Sequence, residues 1–200
     1  MTSSRRTLLT VLLIVGAMAT IVAIAALLRP YRYHGIVIDA DRPVPDFELT
    51  AHTGRRVRLS DFRGKLVVLY FGYTYCPDVC PTSLSGLARA MKRLGPKADQ
   101  VQVLMITVDP ERDTPEQLAA YMGYFDPRFI GLTGAPDEIA AAATPFGIYY
   151  QRHAGSSASS YLVDHTATLT VLDSAGRLRL VLPFEVTAED VAADLAHLLR

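Results

Sequence analysis

Two apolar stretches, residues 66–70 and 101–108, bracket a segment in which Leu84, Leu87, Met91 and Leu94 recur at helical spacing. An apolar run of strand length has no side to turn toward water, so each stretch is expected to be a strand buried on both faces. A strand, a helix and a second strand in that order imply a parallel pair joined by a crossover. Gly95-Pro96 ends the helical pattern where a C-terminus belongs. Pro81 is expected to open it, because a residue before proline is pushed away from helical angles, which leaves Cys80 at the cap.

The flanking segments extend this pattern. Thr114, Pro115 and Gln117 form a helix start, with a capping hydroxyl, proline at the first position and glutamine three residues after the cap. Leu118, Met122 and Phe125 then face one way, and a short helix is expected after Ala135-Pro136. Residues 46–50 and 57–59 alternate about Thr53-Gly54, and residues 167–172 and 178–182 flank Asp173-Ser174-Ala175-Gly176, so both pairs read as hairpins. Thr187 caps a last helix striped with Val191, Leu195 and Leu198. The implied class is α/β: a mixed central sheet with parallel strands in the middle and helices on both faces, a three-layer arrangement. No internal repeat is visible, and the small polar patch at 155–160 reads as a surface loop.

Residues 7–28 carry no charge, and crossing a hydrocarbon core needs roughly 20 apolar residues. Arg5 and Arg6 precede the run and Arg29 and Arg32 follow it, so flanking charge does not orient it. The expectation is an uncleaved single-pass transmembrane helix over 1–28. A linker over 29–45, punctuated by Pro30, Pro43 and Pro45, then leads to one domain over 46–200 on the periplasmic side of the cell membrane. A cleaved signal segment is the alternative, with Ala23-Ile24-Ala25 resembling a small-residue cleavage site. Ser4-Arg5-Arg6 is similar to a twin-arginine export signal and reads here as an ordinary positive flank. A formal net charge of zero gives no electrostatic footprint for nucleic acid.

Chemistry concentrates at Cys76 and Cys80, the only cysteines in the chain, just past the first buried strand. One pair excludes a disulfide-stapled scaffold and a four-thiolate zinc site. Both sulfurs are expected near a helix N-terminus, where partial positive charge favours the thiolate that binds metal and attacks disulfides. Two soft thiolates select Cu(I) over hard ions, and an imidazole would complete such a site. The plain alternatives are two inert buried thiols or one structural disulfide, and a loop this short would gain little from closure. Of the five histidines, His34 lies in the linker, His52 in a turn, His153 in the polar loop and His197 on the last helix. His165, just before a strand, stands where a loop beside the sheet could reach the cysteines.

The stretch Phe71-Gly72-Tyr73-Thr74-Tyr75-Cys76-Pro77-Asp78-Val79-Cys80-Pro81 resembles the signature of the Sco/SenC proteins. Pro45-Asp46-Phe47, the run from Val108 to Pro115 and Val163-Asp164-His165-Thr166 agree in order, so the resemblance covers about residues 40–200. It implies a thioredoxin-like fold and a membrane-anchored metallochaperone that binds copper, as Cu(I) or Cu(II). The implied partner is subunit II of cytochrome c oxidase, whose dinuclear copper site the family helps to build. An upstream copper donor or thiol reductant is a further implied partner. Carried over by position, the ligands are Cys76, Cys80 and His165. The family often has histidine just before the first cysteine; here it is Tyr75, which removes one copper-facing group.

Three acidic positions are open. Asp78 reads as a helix-terminus charge. Asp164 could orient His165 or belong to a turn. The loop carrying Asp109, Glu111, Arg112 and Asp113 could recognise a partner or be a solvated turn. The rival function is an enzyme, a thiol–disulfide oxidoreductase or thiol peroxidase in which Cys76 and Cys80 form the redox pair. It would reduce the copper-binding cysteines of the same oxidase subunit. Redox thioredoxins, however, use a tighter pair and place a proline opposite the thiols, and no proline occurs over 146–182.

Overall fold

The computed structural model describes residues 3–27, 30–153 and 161–200, without the side chains at 3–7, 9, 23 and 25–27. The chain divides into two units, Met1–Arg32 and Tyr33–Arg200. The first contains helix α1 (Ser3–Leu27). Its described apolar side chains are open, Leu13 being 75% exposed. Among the described residues no helix is long and apolar enough to cross a membrane, so the structure lends the expected transmembrane helix no support.

The second unit holds an eight-stranded mixed sheet. Its strands are β1 (Ile36–Val37), β2 (Glu48–Ala51), β3 (Arg56–Arg58), β4 (Leu66–Gly72), β5 (Val101–Thr107), β6 (Ile130–Thr133), β9 (Leu169–Leu172) and β10 (Leu178–Leu182). They lie in the order β1-β10-β9-β4-β5-β6-β2-β3, with β4, β5 and β6 parallel and the remaining pairs antiparallel. A separate two-stranded ribbon pairs β7 (Tyr150–His153) with β8 (Leu162–His165). The helices are α2 (Val79–Leu94), α3 (Pro115–Met122), α4 (Pro136–Ala143) and α5 (Ala188–Leu198).

Every residue of β4 and of β5 is buried. A strand with no open face needs a layer on each side, so the parallel centre sits inside a three-layer stack. Helix α2 packs on α5, α3 on β6 and α4 on β2. The capping signals act as expected: the Thr114 and Thr187 hydroxyls accept from the backbone N–H groups of Gln117 and Asp190. Gly176, at φ +74°, closes the β9–β10 turn.

Three readings change. Helix α2 starts at Val79, two residues before the proline expected to open it, with Asp78 at its N-cap. The Asp78 carbonyl accepts from the Thr82 N–H at 3.2 Å and closes the first turn around Pro81, whose missing N–H has no intrahelical partner to lose there. The expected linker is partly sheet: Ile36 and Val37 pair with Val181 and Leu180, and the Val44 N–H reaches the Gly176 carbonyl. His165 precedes β9 as expected but also ends a strand of its own, and β6 and the β7–β8 ribbon were not expected. The small polar patch at 155–160 lies outside the described residues.

Candidate metal centre

The register of β9 against β4 brings distant residues together. Tyr70, near the C-terminal end of β4, pairs with Leu169 at the start of antiparallel β9. The chain entering β9 therefore passes beside the chain leaving β4. His165, four residues before Leu169, arrives at the level of the cysteines that follow Gly72.

The three expected ligand atoms converge: Cys76 Sγ, Cys80 Sγ and one His165 nitrogen all lie within 4.8 Å of one another. Cys80 Sγ is 3.2 Å from His165 Nε2. Both cysteines are free thiols and both are buried. His165 Nδ1 lies 3.2 Å from the Thr166 carbonyl, which can only accept. With its proton on Nδ1, against that carbonyl, the ring turns an Nε2 lone pair to a metal held by the sulfurs; with a proton on Nε2 it donates to a thiolate there. Edge contacts from Tyr73 (5.8 Å between ring centroids) and Tyr70 (6.2 Å) hold the imidazole plane.

The pair is electrostatically unequal. Hydrogen bonding to the Cys80 sulfur, helped by His165 and by backbone N–H groups and opposed by burial, holds the Cys76 thiol well below its ordinary value. Burial and then the neighbouring Cys76 push Cys80 the other way. Two adjacent sulfurs thus share one proton, with the negative charge on the more accessible Cys76. Gly72 is where sulfur and backbone meet closely: a Cβ there would stand 2.7 Å from Tyr70 Cε1 and 2.9 Å from Cys80 Sγ.

The acidic positions resolve differently from expectation. Asp164 does not serve His165; its carboxylate meets His153 Nε2 at 2.5 Å, because successive strand residues point to opposite faces. Asp78 leaves the helix N–H groups alone and accepts a long contact, 3.5 Å, from the Thr82 hydroxyl. The loop after β5 is neither a solvated turn nor an open recognition surface at its aspartates, since Asp109 is 4% and Asp113 0% exposed. Asp113 accepts from the Thr74 N–H (3.0 Å), the Thr74 hydroxyl (2.6 Å) and the Thr107 hydroxyl (2.6 Å). It ties the turn before Cys76 to the end of β5. Asp109 accepts from Arg112 Nε and from the Tyr161 hydroxyl. Sequence reasoning missed these supports; the one available signal was four charged residues within five positions directly after a buried strand.

Of the other histidines, His34 is held by Asp194 on α5, with Nδ1 at 2.9 Å, and His52 Nδ1 accepts from the Gly131 N–H. His197 packs edge-on against Tyr33. Among the described residues, Cys76, Cys80 and His165 are the one group of three able to hold a metal ion.

The SCO1/SenC family model matches residues 38–200. Protein SCO2 homolog, mitochondrial, of Bos taurus is 42% identical over 133 residues, covering 66% of this chain and 50% of that protein. The chain spans about half the length of the curated relatives it matches first. Apo Sco1 from Thermus thermophilus superposes with a TM-score of 0.76 at 44% identity, covering 84% of this chain and 98% of that one. Copper-bound ScoI of Bradyrhizobium japonicum gives 0.72 at 39% identity, covering 78% and 98%. The thioredoxin-like α/β class expected from the motifs stands.

Proposed function

The chain belongs to the SCO1/SenC family, and from that premise we propose that it carries copper as cargo. In this reading it delivers the metal to, or prepares, the dinuclear copper site of cytochrome c oxidase subunit II. The observation that carries the reading is the approach of two cysteine sulfurs and one imidazole nitrogen within 4.8 Å, from positions 85 residues apart. The donor set fits a soft monovalent ion. The imidazole already turns Nε2 to the sulfurs, and one sulfur is already poised as thiolate. Three donors leave room for an incoming partner thiolate, so copper can pass by ligand exchange without being released to water.

The membrane anchor over residues 7–28 and the periplasmic placement belong to this proposal. Their support is the uncharged run and the open apolar side chains of α1. A tethered carrier would meet a membrane-bound oxidase in two dimensions, which raises its effective concentration.

The test uses the full-length chain in detergent, reduced and free of oxygen. Cu(I) stoichiometry and affinity are measured for wild type, Cys76→Ser, Cys80→Ser and His165→Ala. The expected result is one copper per chain, bound sharply more weakly by each variant. The low-pKa Cys76 thiol favours a second reading, a thiol–disulfide reductase for the same subunit. Disulfide turnover that survives intact in His165→Ala would favour that activity over metal carriage.

A further inference from the structure

Among the described residues, His165 stands on a ribbon outside the main sheet, whose strands β7 and β8 pair with each other. Beyond the β7–β8 ladder, its position depends on side-chain contacts. Along β8 and the residue before it, Tyr161 and Val163 are buried, His165 is half-buried, and Leu162 and Asp164 between them are exposed. Tyr161, Val163 and His165 thus form one inward row. Whatever fixes the first two members sets where the third lies.

Arg112 is that fixture. Its Nε donates to the Asp109 carboxylate and its Nη1 donates to the Tyr161 carbonyl at 3.0 Å. The guanidinium carbon lies 3.6 Å from the centroid of the Tyr161 ring, 4.7 Å from that of Tyr75 and 5.7 Å from that of Tyr73. Arg152 meets the Tyr161 ring at 3.5 Å. Two cations this close to one centroid must take opposite faces, so the ring is clamped. Tyr75 immediately precedes Cys76, and the Tyr73 hydroxyl accepts the Val163 N–H at 3.3 Å. One side chain therefore touches the end of β5, the turn that presents Cys76 and the foot of the histidine strand.

Among the described residues its buried Nη2 has no hydrogen-bond partner.

We propose that Arg112 is the positioning residue of the metal centre: it locks the inward row of β8 to the cysteine turn so that His165 Nε2 meets the two sulfurs. The inference rests on the three-ligand copper reading given above. A slip of one residue along β8 would move the row by about 3.3 Å and turn His165 outward. Lysine in place of Arg112 keeps the charge beside Asp109 but loses the planar fork and the stacking.

The experiment is a double-substitution cycle on the full-length chain, read by competition for Cu(I) against a colorimetric chelator. Arg112→Lys and Arg112→Ala are each placed in the wild-type and His165→Ala backgrounds. Thermal melts of the metal-free proteins identify any variant that has lost its fold. With His165 present, Arg112→Lys is expected to weaken Cu(I) binding about tenfold, within the range of coupling between contacting residues. With His165 absent, the same change is expected to weaken it less than about twofold. In the Cu(II)-loaded protein, Arg112→Lys should also lose part of the imidazole nitrogen coupling in the electron paramagnetic resonance spectrum. A loss that is equal in both backgrounds, or no loss with either substitution, overturns the positioning role and leaves the copper reading standing. If His165→Ala alone leaves Cu(I) affinity unchanged, the three-ligand reading fails and the positioning role fails with it.

Discussion

Replacing Asp113 by alanine should unfasten the cysteine turn from the sheet. The carboxylate is fully buried and accepts three hydrogen bonds, from the Thr74 N–H and hydroxyl and from the Thr107 hydroxyl. Bonds to a charged acceptor contribute about 1.5–3 kcal/mol each. Burial works against this: it raises the Asp113 pKa in spite of all three bonds, so the ionised carboxylate carries a desolvation cost that alanine removes. The three bonds at their weakest sum to about 4.5 kcal/mol, and the desolvation cost that alanine removes brings the net loss below that, to about 3 kcal/mol. With a urea slope of about 2 kcal/mol per molar, the unfolding midpoint should fall by about 1.5 M. Asp113→Asn keeps one acceptor oxygen and should show about half that fall. Because Thr74 lies two residues before Cys76, Cu(I) affinity should drop along with stability. Equilibrium urea unfolding followed by circular dichroism gives the first quantity and chelator competition the second. A midpoint within about 0.3 M of wild type would refute the argument that this carboxylate anchors the turn.

Two further outcomes follow from the site. Gly72→Ala places a methyl against Tyr70 and the Cys80 sulfur in a region with no spare volume, and overpacking of this kind costs about 1–3 kcal/mol; a urea midpoint and Cu(I) affinity both equal to wild type would show that the close approach is not needed. The depressed Cys76 pKa means that its thiolate is present above that value and lost only as pH falls through it, so alkylation by iodoacetamide should proceed at one thiol with nearly constant rate from pH 7 to pH 5. Cys76→Ser should abolish that low-pH reaction, and a rate falling tenfold per pH unit across the same range would show an ordinary thiol.

The capping residues, the two buried strands and the closing hairpin were legible because each is a local signal. A hydroxyl at a helix start, an unbroken apolar run and a turn rich in Asp and Gly act within a few residues of themselves. The start of α2 was misplaced because the rule for residues before proline describes a free dipeptide, whereas here the Asp78 carbonyl and the packed first turn override it. The ribbon that carries His165 was illegible for a related reason. Residues 150–153 and 162–165 have mixed polarity, and β8 is met, beyond its pairing with β7, by tyrosine and arginine side chains from other segments.

By its sequence alone this protein determined its α/β class and its pair of soft sulfurs, because residue type and spacing settle local conformation and donor chemistry, while the resemblance to the Sco/SenC proteins singled out His165. The tertiary structure alone decided that His165 reaches the thiols, that Asp164 serves His153, and that Asp109 and Asp113 are internal struts. Those facts depend on the register of antiparallel β9 against β4 and on side chains meeting across long stretches of chain. Distance in space between such segments is set by packing, which no local pattern records.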